Sequence, residues 1–343
     1  MSFPRILLYG TIILFGAMGS FALIKRLKGS REAIEQAAEI SQDEKERELL
    51  KQVAALPKTP VASFTEIKIA PPAPLEPVEE EDFPACNRMQ QLFSTGPHKL
   101  PIVETITYTS NVPWLKGRPA WLADYSNYYN TSCHFIARSL NKKLDYFSQK
   151  VFPGSKFNVF SKDKKIQFYL LLDLSRRKMG LYYIDLDTNE RVLLKTYLVG
   201  AGKLDEKRLS GSLTPLGKFS LANKIAVYKP GDIGFFQEKR VEMIQVFGTR
   251  WIPFKEELEG TTGRAKGFGI HGAPWLKDKE TEGYLENRDC IGKYDSGGCI
   301  RLLQEDVEEL ASIVMTKPAV IEIVRNFRTA RLPGVEKGEP QHK

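Results

Sequence analysis

The residues in this sequence that point to chemistry are a cysteine and a histidine near its C-terminal end. Cys299 follows two glycines and precedes Ile300 and Arg301, and His271 ends an apolar run just before Gly272. A thiol with a pKa near 8.5 is a poor nucleophile at neutral pH until a neighbouring cation stabilises its thiolate. Glycines before a cysteine let the backbone turn and aim amide N–H groups at a developing oxyanion. The pattern suits cysteine catalysis, although an unrelated cysteine and histidine at this separation occur in many proteins.

Short runs rich in β-branched and aromatic residues predict the elements that position this pair. The expected strands cover residues 166–174, 180–186, 192–199, 218–222, 243–247 and 250–254. Their regular spacing predicts an antiparallel β domain. Residues 200–202 (GAG) predict a flexible loop. A helix is expected over residues 304–314, which lack Gly and Pro.

Four segments in this region, taken in order, resemble landmarks of one family. Residues 270–272 (IHG) and 296–301 (SGGCIR) resemble the signature of the L,D-transpeptidase (YkuD) family of bacterial cell-wall enzymes. Residues 214–217 (TPLG) and 248–252 (GTRWI) are similar to two further family landmarks. The likeness covers about residues 165–326. It implies a mainly β fold, a β-sandwich whose catalytic cysteine lies on a loop leading into a helix.

The resemblance also implies catalytic roles for individual residues. Cys299 matches the nucleophile and His271 the general base, while the backbone carbonyl of Gly272 would orient the imidazole. The amide N–H groups of Gly298 and Cys299 are the expected oxyanion donors.

Substrate contacts are expected from Arg301, which would hold a substrate carboxylate or brace its loop; the alternative is a salt bridge within the loop. Ser296 and Trp275, which lie in the same two motifs, are further candidates for substrate binding.

Two features depart from the family pattern. Gly297 stands where the family usually has a second histidine, and the interval between His271 and Cys299 is longer than usual. The added charged loop, residues 277–293, is a candidate lid or specificity element. It carries Cys290, for which two interpretations stay open: a redox partner of Cys299 or an incidental surface thiol.

The activity implied is attack of Cys299 on the L,D-peptide bond before a terminal D-Ala of a peptidoglycan stem peptide. An amine of a second stem would resolve the thioester to a 3→3 cross-link. No metal or nucleotide cofactor is required by this chemistry. Two alternatives remain: an L,D-carboxypeptidase, in which water resolves the thioester, and a catalytically weak peptidoglycan-binding protein.

The first hundred residues predict an exported, membrane-attached protein. Residues 6–24 carry no charged side chain, and a helix of that length is about 28 Å long, close to the thickness of a bilayer core. A basic cluster follows directly, which by the positive-inside rule would favour a cytoplasmic body. We expect a single-pass anchor in the bacterial inner membrane, within residues 1–28, with the catalytic domain in the periplasm; export followed by signal cleavage is the alternative.

Further domains are expected between the anchor and the catalytic part. Residues 29–100 predict a charged helical stalk and a proline-rich linker, with the folded body starting near Cys86. Residues 105–160 resemble a LysM module, which implies recognition of the glycan strand; a packing domain without a ligand is the alternative. Cys86 and Cys133 would be able to pair in an oxidising compartment, although nothing in the sequence shows it. Residues 327–343 are expected to be a tail.

Composition excludes several classes of protein. The 343 residues are 42% hydrophobic and 27% charged, which excludes wholesale disorder, a collagen-like repeat and a polytopic membrane protein. Four cysteines are too few for a disulfide scaffold. The net charge of +8 suits an anionic partner, but no basic run or aromatic–basic stripe favours nucleic acid. The expected partners are therefore peptidoglycan and, through the anchor, a membrane.

Overall fold

The computed structural model describes residues 82–141, 150–278 and 283–336. The predicted anchor, the stalk and all of the linker before Asp82 lie outside the described residues. Within those ranges, no helix is both long and apolar enough to cross a bilayer.

Five α-helices and eighteen strands are formed in the described part of the chain. The helices are α1 (Met89–Phe93), α2 (Leu122–Tyr128), α3 (Cys133–Asn141), α4 (Ile244–Phe247) and α5 (Gln304–Val314). The strands up to the first long loop are β1 (Val103–Thr107), β2 (Lys156–Phe160), β3 (Ile166–Asp173), β4 (Lys178–Asp185), β5 (Glu190–Leu198), β6 (Ala201–Gly202), β7 (Gly217–Leu221) and β8 (Ala226–Val227). The remaining strands are β9 (Ile233–Phe236), β10 (Lys239–Glu242), β11 (Arg250–Glu259), β12 (Gly269–Gly272), β13 (Trp275–Lys277), β14 (Tyr284–Glu286), β15 (Tyr294–Ser296), β16 (Ile300–Leu302), β17 (Ala319–Val324) and β18 (Val335–Glu336).

The described residues 103–141 and 150–160 form a βααβ unit in which β1 pairs antiparallel with β2. Helices α2 and α3 lie between the two strands in the sequence. The unit has a small core of its own, which contains Tyr108, Ala120, Tyr125, Ile136, Phe157 and Val159. The LysM resemblance of this region stays a prediction.

A curled sheet of ten strands makes up most of the remaining structure, so the mainly β prediction is confirmed. Its path runs β16-β12-β11-β7-β17-β3-β4-β5-β18, and β8 adds to β11. Three of the pairings are parallel: β12 with β16, β3 with β17, and β5 with β18. The prediction of an antiparallel domain is therefore wrong for these pairs. They join segments far apart in sequence, which strand spacing alone does not reveal.

The main core joins this sheet to helix α5 and to the segment before residue 166. Helix α5 contributes Val307, Leu310 and Ile313, all fully buried. The same core contains Met89 and Leu92 of α1, so residues 89–92 pack as part of the fold. Phe83 is also buried, so packing begins three residues before the boundary that the sequence predicts.

Several local predictions differ from the structure. Residues 243–247, expected as a strand, form the helical turn α4, which ends at Gly248 with a φ of +59°. Residues 200–202, expected as a flexible loop, include β6, which pairs with β15. Residues 327–336, expected as part of a tail, contain a 3-10 turn (Phe327–Thr329) and β18, which pairs with β5.

Candidate active site

The imidazole of His271 is fixed by the strand that carries it. Strand β12 lies between β11 and β16, and the His271 side chain is almost fully buried. Its Nδ1 lies 2.8 Å from the carbonyl oxygen of Gly272, the contact that the family resemblance implies. A carbonyl only accepts hydrogen bonds, so this contact places the proton of a neutral ring on Nδ1. The Nε2 atom then carries the lone pair that a general base needs.

Two aromatic rings pack against this imidazole and remove it from water. The Phe247 ring stands edge-on at 5.4 Å and the Trp251 ring lies tilted at 5.9 Å, measured between ring centroids. Burial lowers the pKa of His271 to about 4; the bond to Gly272 opposes this shift and the charge of Arg301 adds to it. At neutral pH the ring is therefore uncharged.

The loop before Cys299 is held by side-chain hydrogen bonds. Ser296 Oγ accepts from the Gly298 N–H at 3.1 Å and donates to the Cys299 carbonyl at 2.6 Å. The Gly298 carbonyl accepts from Thr214 Oγ1 at 2.9 Å. Gly298 has a φ of +118°, and a Cβ there would lie 2.4 Å from Phe268 Cε1. Only glycine fits this position without displacing its neighbours.

The thiol of Cys299 is protonated at neutral pH. Burial raises the pKa of Cys299 to about 11, although a backbone hydrogen bond and the charge of Arg301 both act to lower it. The S–H group donates to the Gly267 carbonyl at 3.7 Å. The candidate nucleophile and the candidate base are thus both uncharged in the resting protein.

Cys299 and His271 line one cleft of about 620 Å³. Of the other predicted residues, Arg301 and Ser296 also line it, and so does Gly297. Sequence reasoning did not single out the rest of the wall: Phe236, Gln237, Gln245, Val246, Phe247, Trp251, Gly267 and Pro274. Trp251 belongs to residues 248–252, one of the segments that resemble the family. Its contact with the imidazole arises only when the sheet brings β11 beside β12.

Residues 167–323 match the YkuD family model, the L,D-transpeptidase catalytic domain.

Two curated proteins are similar to parts of this chain. "Putative L,D-transpeptidase YqjB" of Bacillus subtilis is 31% identical over 117 residues, which are 33% of this chain and 51% of that protein. "Putative L,D-transpeptidase YkuD" of Bacillus licheniformis is 29% identical over 149 residues, which are 43% of this chain and 61% of that protein. The chain thus spans between half and two thirds of the length of these relatives.

Two solved structures match about half of the chain. The helical cell shape determining protein Pgp2 of Campylobacter jejuni is 17% identical, with a TM-score of 0.32 and coverage of 50% of this chain and 51% of that one. Bd1075 of Bdellovibrio bacteriovorus is 16% identical, with a TM-score of 0.32 and coverage of 48% and 50%.

Arg301 lies beside His271 in the parallel register of β12 and β16. Its Nη1 forms an ion pair with Asp295 Oδ1 at 2.5 Å, so the salt bridge within the loop is present. Its Nε is buried without a hydrogen-bond partner among the described residues. The substrate-binding role of Arg301 stays a prediction.

Three further predictions for residues of this region differ from the structure. Ser296 is 1% exposed, and its hydroxyl is engaged by Gly298 and Cys299, so it braces the loop rather than facing a substrate. The Gly298 N–H, expected as an oxyanion donor, already donates to the Ser296 hydroxyl. Trp275 is not among the described residues that line the cleft; it pairs with Glu286 on β14.

The cysteines outside the cleft are free thiols, so Cys86 and Cys133 are unpaired in this structure. Cys290 is 1% exposed, so its interpretation as a surface thiol is wrong. Burial raises the pKa of Cys290, and the nearby Arg301 opposes that shift. No group of three or more His, Cys, Asp or Glu with metal-binding geometry occurs in the described ranges.

A short strand connects the cysteine loop to the helix that the resemblance implied. Strand β16 follows Cys299 at once, and helix α5 begins only at Gln304. The strand pairs with β12 and so ties the backbone after the cysteine to the strand that carries His271.

Proposed function

We propose that this chain is an L,D-transpeptidase that cross-links peptidoglycan stem peptides through a Cys299 thioacyl-enzyme. The observation that carries the proposal is the pairing, in one cleft, of Cys299 on a braced loop with a buried His271 whose Nδ1 contacts the Gly272 carbonyl. The family match of residues 167–323 supports the same reaction class.

The reaction starts from the neutral pair. His271 Nε2 takes the thiol proton as Cys299 Sγ attacks the carbonyl carbon of the L,D-bond before the terminal D-Ala. The tetrahedral intermediate collapses when the imidazolium returns that proton to the D-Ala amine, which leaves with the C–N bond electrons. The stem stays attached to the sulfur as a thioester.

The second half reverses these proton transfers. An amine of a second stem attacks the thioester and gives its proton to His271. The C–S bond then breaks, and the departing thiolate recovers the proton from the imidazolium. The products are one new amide, the 3→3 cross-link, and the regenerated neutral pair.

The oxyanion formed in both halves needs donors in the loop. The Cys299 N–H is the donor that we assign, because the Gly298 N–H is bonded to Ser296. Arg301 lines the same cleft, and its guanidinium is the group that we assign to a substrate carboxylate.

Product analysis with a tetrapeptide stem tests the activity. The expected result with an acceptor stem is release of D-Ala and a cross-linked dimer, detected by mass spectrometry, with both lost in Cys299→Ala. Release of D-Ala without a dimer would identify a carboxypeptidase. If neither D-Ala release nor a covalent adduct with a carbapenem is detected, the alternative of a peptidoglycan-binding protein is favoured.

We also propose that the protein is anchored in the inner membrane, with its folded part in the periplasm. The uncharged residues 6–24 and a cell-wall substrate support this location. Alkaline phosphatase fused after Pro101 should be active. An inactive phosphatase together with an active cytoplasmic reporter at the same site would refute the location.

Glycan binding by the βααβ unit is the last part of this proposal. Its surface carries Trp121, which is 65% exposed, and a stacked pair of Trp114 and Tyr128 with ring centroids 4.3 Å apart. Aromatic faces of this kind suit the apolar faces of sugars. Trp121→Ala should reduce cosedimentation with peptidoglycan sacculi, while Phe152→Ala, which removes another exposed ring of the unit, should not. Equal retention of both variants would make the unit a packing domain.

A further inference from the structure

We propose that a second cavity beside the Cys299 loop binds a carboxylate of the stem peptide. This cavity, here named the cationic cavity, has a volume of about 290 Å³ and is lined by Arg208, Arg264 and Lys266. Its other lining residues are neutral: Leu209, Ser210, Ser212, Leu213, Pro215, Thr262, Gly263 and Phe268. The inference rests on the proposed function, because it names where part of that substrate binds.

The cationic cavity and the catalytic cleft share one wall. Gly267 lines the catalytic cleft, whereas its neighbours Lys266 and Phe268 line the cationic cavity. A Cβ on Gly298 would lie 2.4 Å from Phe268 Cε1 and 2.7 Å from the Leu213 carbonyl oxygen. Two walls of the cationic cavity therefore contact the residue immediately before the nucleophile.

The charge of the cavity is positive. No carboxylate occurs among the described residues that line it. Arg208 makes one loose ion pair outside the lining, with Asp205 at 3.6 Å, and more than half of its side chain is exposed. Arg264 is near Glu257, one of whose oxygens accepts from the Ala265 N–H. Lys266 has no ion pair in the part of the chain that the structure describes, so its ammonium is available to an anion.

Hydrogen bonds hold the two loops that form the cavity. Ser212 Oγ donates to the Gly202 carbonyl at 2.8 Å, and an Arg325 N–H donates to the Leu209 carbonyl. On the opposite loop, Thr262 exchanges two bonds with Leu216, at 2.9 and 3.0 Å. The cavity is therefore formed before any ligand binds, which reduces the entropy that binding would cost.

A stem peptide carries a carboxylate close to its scissile bond. An extended peptide advances about 3.3–3.6 Å per residue, so a carboxylate within two residues of the scissile carbonyl lies roughly 7 Å from it. We infer that such a carboxylate enters the adjacent cationic cavity while the scissile carbonyl stays at Cys299. Arg and Lys provide the charge-assisted hydrogen bonds that recognise it.

Equilibrium binding tests the proposal without turnover. In a Cys299→Ala background, titration calorimetry compares two tetrapeptide stems. One has free carboxylates before the scissile bond; in the other these are carboxamides, and both keep the terminal D-Ala carboxylate. Arg264→Gln combined with Lys266→Gln should weaken binding of the free acid about tenfold, the scale of one charge-assisted bond. Binding of the amide stem should change less than about twofold.

A matched variant removes the effect of net charge. Lys165→Gln combined with Lys255→Gln deletes two exposed cations that line neither cavity. It should leave both affinities unchanged. An equal loss for both stems, or no loss for the free acid, overturns the proposal. Because no turnover is measured, failure of the proposed reaction would show separately, as a wild-type protein that binds stems but releases no D-Ala.

Discussion

At the scale of single residues, the neutral state of the catalytic pair follows from packing that the motif does not contain. The resemblance of residues 270–272 and 296–301 to a family signature, rather than their spacing, predicted that Cys299 and His271 share one site. The rings of Phe247 and Trp251, which exclude water from the imidazole, come from other elements. The pKa values of about 4 for His271 and about 11 for Cys299 therefore required the structure.

The lowered pKa of His271 predicts a pH-dependent stability. Between the ordinary pKa of 6.5 and the folded pKa of about 4, the unfolded chain binds a proton that the folded chain does not. Unfolding is therefore favoured as pH falls through this window, and the free energy of unfolding should drop by about 3 kcal/mol. Denaturant unfolding at pH 7 and pH 4 measures it. In His271→Gln, this contribution to the pH dependence of the free energy of unfolding should disappear. Substitution of the exposed His98 by Gln should preserve it. The same pH dependence in His271→Gln and wild type would contradict the shifted pKa.

Substitution of the two glycines before Cys299 should destabilise the protein strongly at Gly298 and only slightly at Gly297. A Cβ at Gly297 would meet nothing within 4 Å, whereas one at Gly298 would clash with Phe268 in a left-handed backbone. Gly298→Ala should lower the free energy of unfolding by about 2 kcal/mol or more. Gly297→His should change it by less than about 1 kcal/mol, because the Cβ of a side chain here meets open space. Thermal unfolding of both variants checks this, and equal destabilisation would contradict it.

At the scale of elements, the long segment between His271 and Cys299 is attached to the catalytic domain on two sides. The Tyr284 hydroxyl donates to Glu242 at the base of the β9–β10 hairpin and lies 3.4 Å from Gln245 Nε2. On the other side, Arg288 pairs with Glu305 at 2.8 Å on helix α5. Because Gln245 lines the catalytic cleft, the segment influences the cleft wall through Tyr284.

Removing the Tyr284 hydroxyl should therefore affect the cleft more than the fold. Tyr284→Phe should lower the rate of acylation by a carbapenem about threefold to tenfold while costing about 1 kcal/mol of stability. Alkylation of Cys299 by iodoacetamide, which needs little of the cleft wall, should be unchanged. Tyr128→Phe, in the βααβ unit, is the control. A Tyr284→Phe protein that reacts with the carbapenem like wild type would make the attachment structural only.

Local sequence predicted most strands but not their partners. The runs that became β3, β4 and β5 alternate with turn residues, so periodicity sufficed. The run that became α4 has the same composition, but a single helical turn buries Ile244 and puts Phe247 against His271. Short apolar runs are ambiguous in this way because only the packing decides between turn and strand. The parallel pair of β3 and β17 joins segments about 150 residues apart, a contact without any local signal.

At the scale of the whole molecule, the sequence-based prediction drew too sharp a boundary between a linker and a catalytic domain. The domain that the family model matches begins at residue 167, yet its core includes Met89, Leu92 and Phe135 from the preceding segment. Phe83 packs edge-on against Phe327 at 5.1 Å, which joins the two ends of the described chain. The described residues between Phe83 and Phe327 therefore include packing contacts between the upstream segment and the matched domain.

The matched catalytic domain should for this reason not fold by itself. Cutting the chain to residues 161–336 removes Phe83, Met89 and Leu92, which are at most 5% exposed. Losing the burial of three such side chains costs roughly 5–9 kcal/mol, comparable with the 5–15 kcal/mol that holds a typical domain together. A chain of residues 79–336 should unfold cooperatively on heating, whereas residues 161–336 should be insoluble or lack a transition. If the shorter chain has the same midpoint of thermal unfolding, the upstream segment contributes no stability to the catalytic domain.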